Sequence, residues 1–186
     1  MILEFMERLA REAARRTADF LVIGGHAVIH HGYVRMTLDI DLLAPEKDRA
    51  CWREILEKFQ YQPYNETPAF SQFASATPGW PQVDIMFVTD STWSKLWAGA
   101  ERKTGQRLEV LIPAPRHLVA LKLHAANSST RELPGKDWTD IEQLMRLHHL
   151  DPNEVGFADL IREHGGEESL ARLKNLWQTL SSTESS

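Results

Sequence analysis

The sequence is poor in the features on which several classes of protein depend. Its 186 residues contain a single cysteine, Cys51, which excludes an internal disulfide or a cysteine-rich zinc site. No apolar run approaches the roughly 20 residues of a membrane-spanning helix. The chain opens on the charged, amphipathic segment MILEFMERLAREAARR and not on a signal pattern. These absences predict a soluble, cytoplasmic protein with no membrane partner.

Positive charge and phosphate-binding fingerprints are also scarce. The formal net charge is −5, so no general field attracts nucleic acid and any RNA contact needs a local basic patch. Arg8, Arg11 and Arg15 share one face of the first predicted helix, which is either such a patch or a solvated face. Neither G-x-G-x-x-G nor G-x-x-x-x-G-K-[ST] occurs in the chain, which excludes the dinucleotide and P-loop fingerprints.

The hydrophobic pattern changes along the chain. Residues 1–112 mix predicted strands such as DFLVI, LDIDLL and QVDIMFV with helices, whereas residues 113–180 carry only helical periodicity. The final SSTESS, residues 181–186, is predicted to be a disordered tail. The sequence therefore predicts an α+β core over 1–112 followed by a helical C-terminal subdomain over 113–180.

Three aspartates interrupt apolar strands. Asp39 and Asp41 lie in LDIDLL, where a period of two places both on one face with Cα atoms roughly 7 Å apart. Like charges at that spacing favour a cation between them, and Mg²⁺ or Mn²⁺ is the hard divalent ion that carboxylates bind. Asp84 interrupts QVDIMFV in the same way. Three aspartates on adjacent strands suit two metal ions about 4 Å apart, the arrangement for phosphoryl displacement. The alternative is that these acids are turn or capping residues at strand ends.

A pair of glycines precedes the acids. Gly24 and Gly25 end the apolar run FLVI and open the predicted short helix HAVIHHG. Glycines at such a junction let backbone N–H groups approach a phosphate, and the helix N-terminus adds partial positive charge. A tight turn with no ligand is the alternative. A phosphate cradle followed by a metal-binding pair is more specific than either motif alone.

Together these motifs resemble the G-G/S…D-h-D signature of the DNA polymerase beta nucleotidyltransferase superfamily. GGHAVIHHGYVRMTLDIDLL is similar to the GG-x-A…R-x-T/S-x-D-h-D stretch of small bacterial members, including the toxin component of AbiE-type abortive-infection systems. PAPRHLVALKLHAANSSTRELPGKDWTDIEQL resembles their h-K-h-x-A…R…K-D-x-x-D-h segment. The resemblance covers residues 18 to 145 and implies a nucleotidyltransferase fold, with a small mixed β-sheet flanked by helices and a helical C-terminal part.

The resemblance also implies roles for individual residues. It makes Asp39 and Asp41 metal ligands, and Asp84 a third ligand and the general base for the acceptor hydroxyl. Lys122 is expected near the triphosphate, solvated when no nucleotide is bound. Arg35 equally suits an ion pair, and Asp137 equally suits the start of its helix. The implied nucleotide-binding residues are Gly24, Gly25, His26, Arg35, Thr37 and Lys122, and the later polar cluster of open role is Lys136, Asp137 and Asp140.

The function implied by the resemblance is metal-dependent nucleotidyl transfer. With two Mg²⁺ or Mn²⁺ ions, the enzyme would transfer NMP from a nucleoside triphosphate to a hydroxyl and release pyrophosphate. The acceptor is left open between an RNA 3′ end, a protein side chain and a small molecule such as an antibiotic. The alternative is a catalytically silent, nucleotide- or protein-binding member of a toxin–antitoxin pair, with a cognate antitoxin as partner. The intact set of three acids favours the enzyme.

Overall fold

The chain folds into two units. The computed structural model describes residues 2–104, 109–127 and 134–183. The first unit comprises Met1–Ala27 and Arg35–Ala114, and the second comprises Val28–Val34 and Pro115–Ser186. The chain passes from the first unit to the second after Ala114, and the predicted domains over 1–112 and 113–180 stay predictions. The inclusion of residues 28–34 in the second unit was not predicted.

The first unit contains a mixture of helices and strands. Its elements are α1 (Ile2–Arg15), β1 (Leu21–Val22), β2 (Ile40–Pro45), α3 (Arg49–Lys58), β3 (Tyr61–Thr67), β4 (Phe70–Ser75), β5 (Val83–Val88), α4 (Asp90–Ala98), β6 (Glu101–Thr104) and β7 (Glu109–Ile112). The short helix α2 (Gly24–His30) begins in this unit and ends in the second.

Five of the strands form one mixed sheet. Their order is β1-β2-β5-β4-β3, with β2 and β5 parallel and the other neighbours antiparallel. The predicted small mixed β-sheet is therefore confirmed. The remaining strands, β6 and β7, pair antiparallel in a separate two-stranded sheet.

One face of the five-stranded sheet supplies much of the first unit's core. Along β5 buried and partly exposed residues alternate, so that Val83, Ile85 and Phe87 are buried while Asp84 lies on the opposite face. The amphipathic helix α1 buries Phe5, whose ring stacks on that of Tyr61 with centroids 5.1 Å apart. This packing explains why the 3.6-residue pattern of α1 was readable from sequence.

The second unit is helical in the part that the structure describes. It contains α5 (Pro115–Ala126), α6 (Pro134–Leu147) and α7 (Val155–Thr183), and α5 packs against both of the others. A Cβ at Gly165 would come within 3.1 Å of Leu123 and 2.8 Å of Ser169, so α7 approaches α5 closely there. At Gly166 the backbone is non-helical, with φ 75°, which divides α7 into the two helices that the sequence predicted.

Some predicted boundaries were wrong. Strand β2 begins at Ile40, so Asp39 lies in the bend before it and not within the strand. Strand β6 was not predicted. Helix α7 extends to Thr183, so the first three residues of the predicted disordered tail are helical, and residues 184–186 lie outside the described residues. Among the described helices, none is long and apolar enough to cross a membrane.

Candidate active site

Two of the predicted aspartates lie side by side in the sheet. Asp41 of β2 and Asp84 of β5 are register partners on neighbouring parallel strands, and such strands lie about 4.8 Å apart. Both residues are half-buried, whereas Asp39 is exposed. The predicted alignment of acids on adjacent strands is therefore confirmed for Asp41 and Asp84.

The backbone of the first glycine lies against the Asp41 carboxylate. Gly24 lies two residues after the end of β1 and has a φ of +58°, a conformation that L side chains rarely adopt. A Cβ at this position would overlap the carboxylate of Asp41. The preceding residue, Ile23, donates its N–H to the Asp41 carbonyl at 2.9 Å, which fixes this approach. Glycine is thus required here by both conformation and space.

The second glycine faces the two residues of the predicted R-x-T segment. A Cβ at Gly25 would come within 2.5 Å of Thr37 Oγ1 and 2.8 Å of Arg35 Nη2. Arg35 also donates from Nη1 to the carbonyl of Met36 at 3.0 Å. His26, the next residue along α2, is half-buried. The structure therefore brings Gly25, Arg35 and Thr37 together, and their role in nucleotide binding stays a prediction.

Two polar residues that sequence reasoning missed continue the row beyond Asp84. Gln72 of β4 is the register partner of Asp84, and Asn65 of β3 is the register partner of Gln72. The Gln72 amide donates from Nε2 to Asp84 Oδ2 at 3.0 Å, and Asn65 Nδ2 donates to Gln72 Oε1 at 2.8 Å. The available signal was an amide between phenylalanines in the strand FSQFAS.

Tyr64 also lies near these carboxylates. It is 53% exposed and occupies the irregularity of β3, where the register with β4 shifts between Pro63 and Asn65. Burial raises the pKa of its phenol, and the negative charges of Asp84 and Asp39 raise the same pKa further. The phenol therefore lies within electrostatic range of both acids.

The carboxylates suit a divalent cation that the substrate helps to bind. Among the described residues, no three His, Cys, Asp or Glu side chains are grouped closely enough to hold a metal ion. Mg²⁺ usually takes only one or two protein carboxylates, and substrate phosphates and waters complete its octahedron. Asp41 and Asp84, beside a glycine surface that no Cβ can occupy, fit that requirement. Metal ligation by Asp39, Asp41 and Asp84 and the presence of two ions stay predictions.

Lys122 is buried in an ion cluster of the second unit. Its Nζ lies 2.9 Å from Asp137 Oδ1 and 2.7 Å from Asp140 Oδ2, and at most 8% of any of these side chains is exposed. The expectation that Lys122 is solvated without nucleotide is therefore wrong, because two carboxylates of α6 replace its water. A nucleotide-binding role for Lys122 stays a prediction. Lys136, beside Asp137, is exposed.

Several solved structures share this fold. ANT(2'')-Ia in complex with adenylyl-2''-tobramycin has a TM-score of 0.66 at 15% identity, over 86% of this chain and 97% of that chain. The lincosamide antibiotic adenylyltransferase LnuA, lincomycin-bound, has a TM-score of 0.56 at 14% identity, over 76% and 95%. An antigenic nucleotidyltransferase-like protein from Paracoccidioides brasiliensis has a TM-score of 0.51 at 18% identity, over 88% of each chain. The fold is therefore that of nucleotidyltransferases.

The sequence identifies the family within this class. Residues 7–181 match the family described as Nucleotidyl transferase AbiEii toxin, Type IV TA system, so the chain belongs to the AbiEii nucleotidyltransferase family. The protein is accordingly a nucleotidyltransferase enzyme, and its family is one of toxin–antitoxin systems. No curated protein matches the chain.

Proposed function

We propose that this protein transfers NMP from a nucleoside triphosphate to an acceptor hydroxyl and releases pyrophosphate, with Mg²⁺ or Mn²⁺ as cofactor. The observation that carries the proposal is the pairing of Asp41 with Asp84 on parallel strands, with the Gly24 backbone against Asp41. Carboxylates beside a glycine surface are the parts needed to hold a metal-bound triphosphate.

Each residue has a defined task in this reaction. Asp41 and Asp84, with Asp39, would hold the divalent cations, which supply charge neutralisation and orientation for the phosphates. Backbone N–H groups of Gly24 and Gly25 bind phosphate oxygens, and the guanidinium of Arg35 adds a positive charge beside them. The acceptor oxygen attacks the α-phosphorus. At the same time the bond breaks between the α-phosphorus and the oxygen that bridges it to the β-phosphorus. The hydroxyl proton passes to the Asp84 carboxylate, and pyrophosphate leaves.

Three classes of acceptor suit this reaction. The structural neighbours named above include an adenylyltransferase of lincosamide antibiotics and a complex with adenylylated tobramycin, which makes an antibiotic hydroxyl one candidate. The toxin–antitoxin family makes the cell's own macromolecules the others, through an RNA 3′ end or a protein hydroxyl. A cognate antitoxin is the expected protein partner in that setting.

Transfer of an α-phosphate label tests the function and identifies the acceptor. Each of four α-labelled nucleoside triphosphates is incubated with Mg²⁺, the protein and one acceptor pool: total RNA, lysate protein, tobramycin or lincomycin. We expect label in one pool, together with unlabelled pyrophosphate. The Asp41→Asn variant should lose about 100-fold or more of this transfer, as expected when a charge-holding group of the transition state is removed.

A matched aspartate serves as the control. Asp90 lies beyond the other end of β5 from Asp84, is exposed, and pairs with Lys47 at 3.8 Å. Asp90→Asn should transfer label like the wild type. Failure of the wild type to label any pool, with nucleotide still bound, would replace this proposal with the silent member of a toxin–antitoxin pair.

A further inference from the structure

Four polar side chains form one row across the sheet. Asn65, Gln72, Asp84 and Asp41 belong to β3, β4, β5 and β2, and each is the register partner of the next. Register partners on neighbouring strands project from the same face. The row therefore runs perpendicular to the strands and ends at the two proposed metal-binding carboxylates.

The hydrogen bonds along this row have a direction. Asn65 donates to the Gln72 carbonyl oxygen at 2.8 Å, and Gln72 donates from its NH₂ group to Asp84 Oδ2 at 3.0 Å. A glutamine amide has one accepting end and one donating end. The reversed amide would place its oxygen against the Asp84 carboxylate and its NH₂ against that of Asn65. The Asp84 charge and the Asn65 donor thus fix the same orientation of Gln72.

An extra residue in β3 brings Asn65 into the row. Pro63 pairs with Phe73 and Asn65 pairs with Gln72, so two steps along β3 correspond to one along β4, with Tyr64 between. In a regular ladder Asn65 would oppose Ser71 and project from the other face, because side chains alternate with a period of two. The bulge at Tyr64 re-aims the strand, as bulges beside functional sites do.

We propose that Gln72 is a positioning residue for Asp84 during nucleotidyl transfer, and that Asn65 acts by holding the Gln72 amide. This inference rests on the proposed function. A neutral amide restrains a carboxylate without cancelling its charge, whereas Lys or Arg at this position would compete with a metal ion for that charge. Partners that orient a ligand in this way typically contribute 10- to 100-fold to metal affinity or activity.

Gln72→Met tests the positioning role because it keeps the length of the side chain and removes both polar ends. We expect kcat for label transfer to fall roughly 10- to 100-fold, while KM for the nucleotide changes less than about threefold. Melting temperature without ligand should stay within about 2 °C, because the amide is half-buried and water replaces its bonds. At limiting Mn²⁺, the rise in melting temperature with nucleotide should shrink, because the affinity for the metal falls. Gln62→Met, on the exposed part of β3, should match the wild type in all four measurements.

A double-mutant cycle separates positioning from general structural support. Asn65→Ala alone should lower kcat about threefold or more, and should have no further effect in the Gln72→Met background, since its action passes through Gln72. Additive losses, or a normal kcat in Gln72→Met, would overturn the positioning role while transfer by the wild type upholds the proposed function. A wild-type protein inactive with every nucleotide and acceptor would overturn the proposed function, and the positioning role with it.

Discussion

At the scale of single residues, Gly24 carries the strictest requirement at the site. Its φ is +58° and a Cβ would overlap the Asp41 carboxylate. Gly24→Ala should therefore displace Asp41 and lower the transfer rate by about 100-fold, the cost of a misplacement near 1 Å. The strained backbone should also lower the free energy of unfolding by about 1–3 kcal/mol.

The control for this substitution is Gly156→Ala in α7. A Cβ at Gly156 meets nothing within 4 Å, and the residue has no left-handed φ. Alanine is favoured over glycine in helices, so this variant should keep full activity and equal or higher stability. Label transfer and urea denaturation measure both outcomes. Wild-type activity in Gly24→Ala would remove the glycine contact from the mechanism.

Tyr64 reports the charge of the site without any substrate. Burial and then the charges of Asp84 and Asp39 raise the pKa of its phenol. Neutralising one of these acids stabilises the phenolate, so Asp84→Asn should lower the pKa of Tyr64. The absorbance of tyrosinate, titrated with and without Tyr64→Phe, gives this pKa. Asp90→Asn should leave it unchanged, and an equal pKa in Asp84→Asn would place Tyr64 outside the electrostatic range of that acid.

At the scale of elements, the buried contact between α5 and α6 depends on Lys122. Its ammonium group balances two carboxylates, Asp137 and Asp140, that are 99% buried. Lys122→Met removes the ammonium group that both carboxylates contact, and breaking a buried ion cluster in this way costs about 3–5 kcal/mol. Urea denaturation should show a loss of that size. This expectation replaces the near-zero effect that a solvated lysine predicts.

Lys174 of α7 provides the comparison for Lys122. It is half-buried, so Lys174→Met should change the free energy of unfolding by less than about 0.5 kcal/mol, like other substitutions away from charged clusters. Similar small losses in both variants would show that Asp137 and Asp140 do not depend on Lys122 for their stability.

Elements with a strong apolar period were predictable from sequence. Helix α1 and strand β5 each bury one regular face, so their positions and the acid within β5 could be read directly. Strand β6 has the sequence ERKT, which has no apolar period, and its pairing with β7 forms only in the fold. The burial of Lys122 was equally hidden, because its partners lie on a different helix.

The residues of the candidate site also fall into those that a local sequence pattern predicted and those that it did not. Asp41, Asp84 and the glycines were identified because each breaks a local apolar pattern. Gln72 and Asn65 were missed because their significance lies in the register between strands, and no local pattern specifies which residues of β3 and β4 face each other.

At the scale of the whole molecule, binding of nucleotide should stabilise the folded state. Mg²⁺ with the correct nucleoside triphosphate at 100 times its dissociation constant should add about 2.7 kcal/mol by mass action. Mg²⁺ alone should raise the melting temperature less, because the phosphates supply part of its coordination. Thermal melts with each nucleotide, with and without chelator, measure this. The shift should disappear in Asp41→Asn, and no shift with any of four nucleotides at millimolar concentration would contradict the enzyme assignment.

The bulge at Tyr64 also has a consequence for chain length. Because Tyr64 is the additional residue between two intact pairs, a one-residue deletion there leaves Pro63 opposite Phe73 and Asn65 opposite Gln72 in a continuous ladder. A deletion of Gln62 also removes the bulge, but it moves Pro63 opposite Ala74 and Tyr64 opposite Phe73, which turns both side chains to the other face of the sheet. Deletion scanning of β3 should therefore yield folded, active protein for Tyr64 and a marked loss of both for Gln62. Related chains that differ by one residue in length at this point can thus share the same row of side chains.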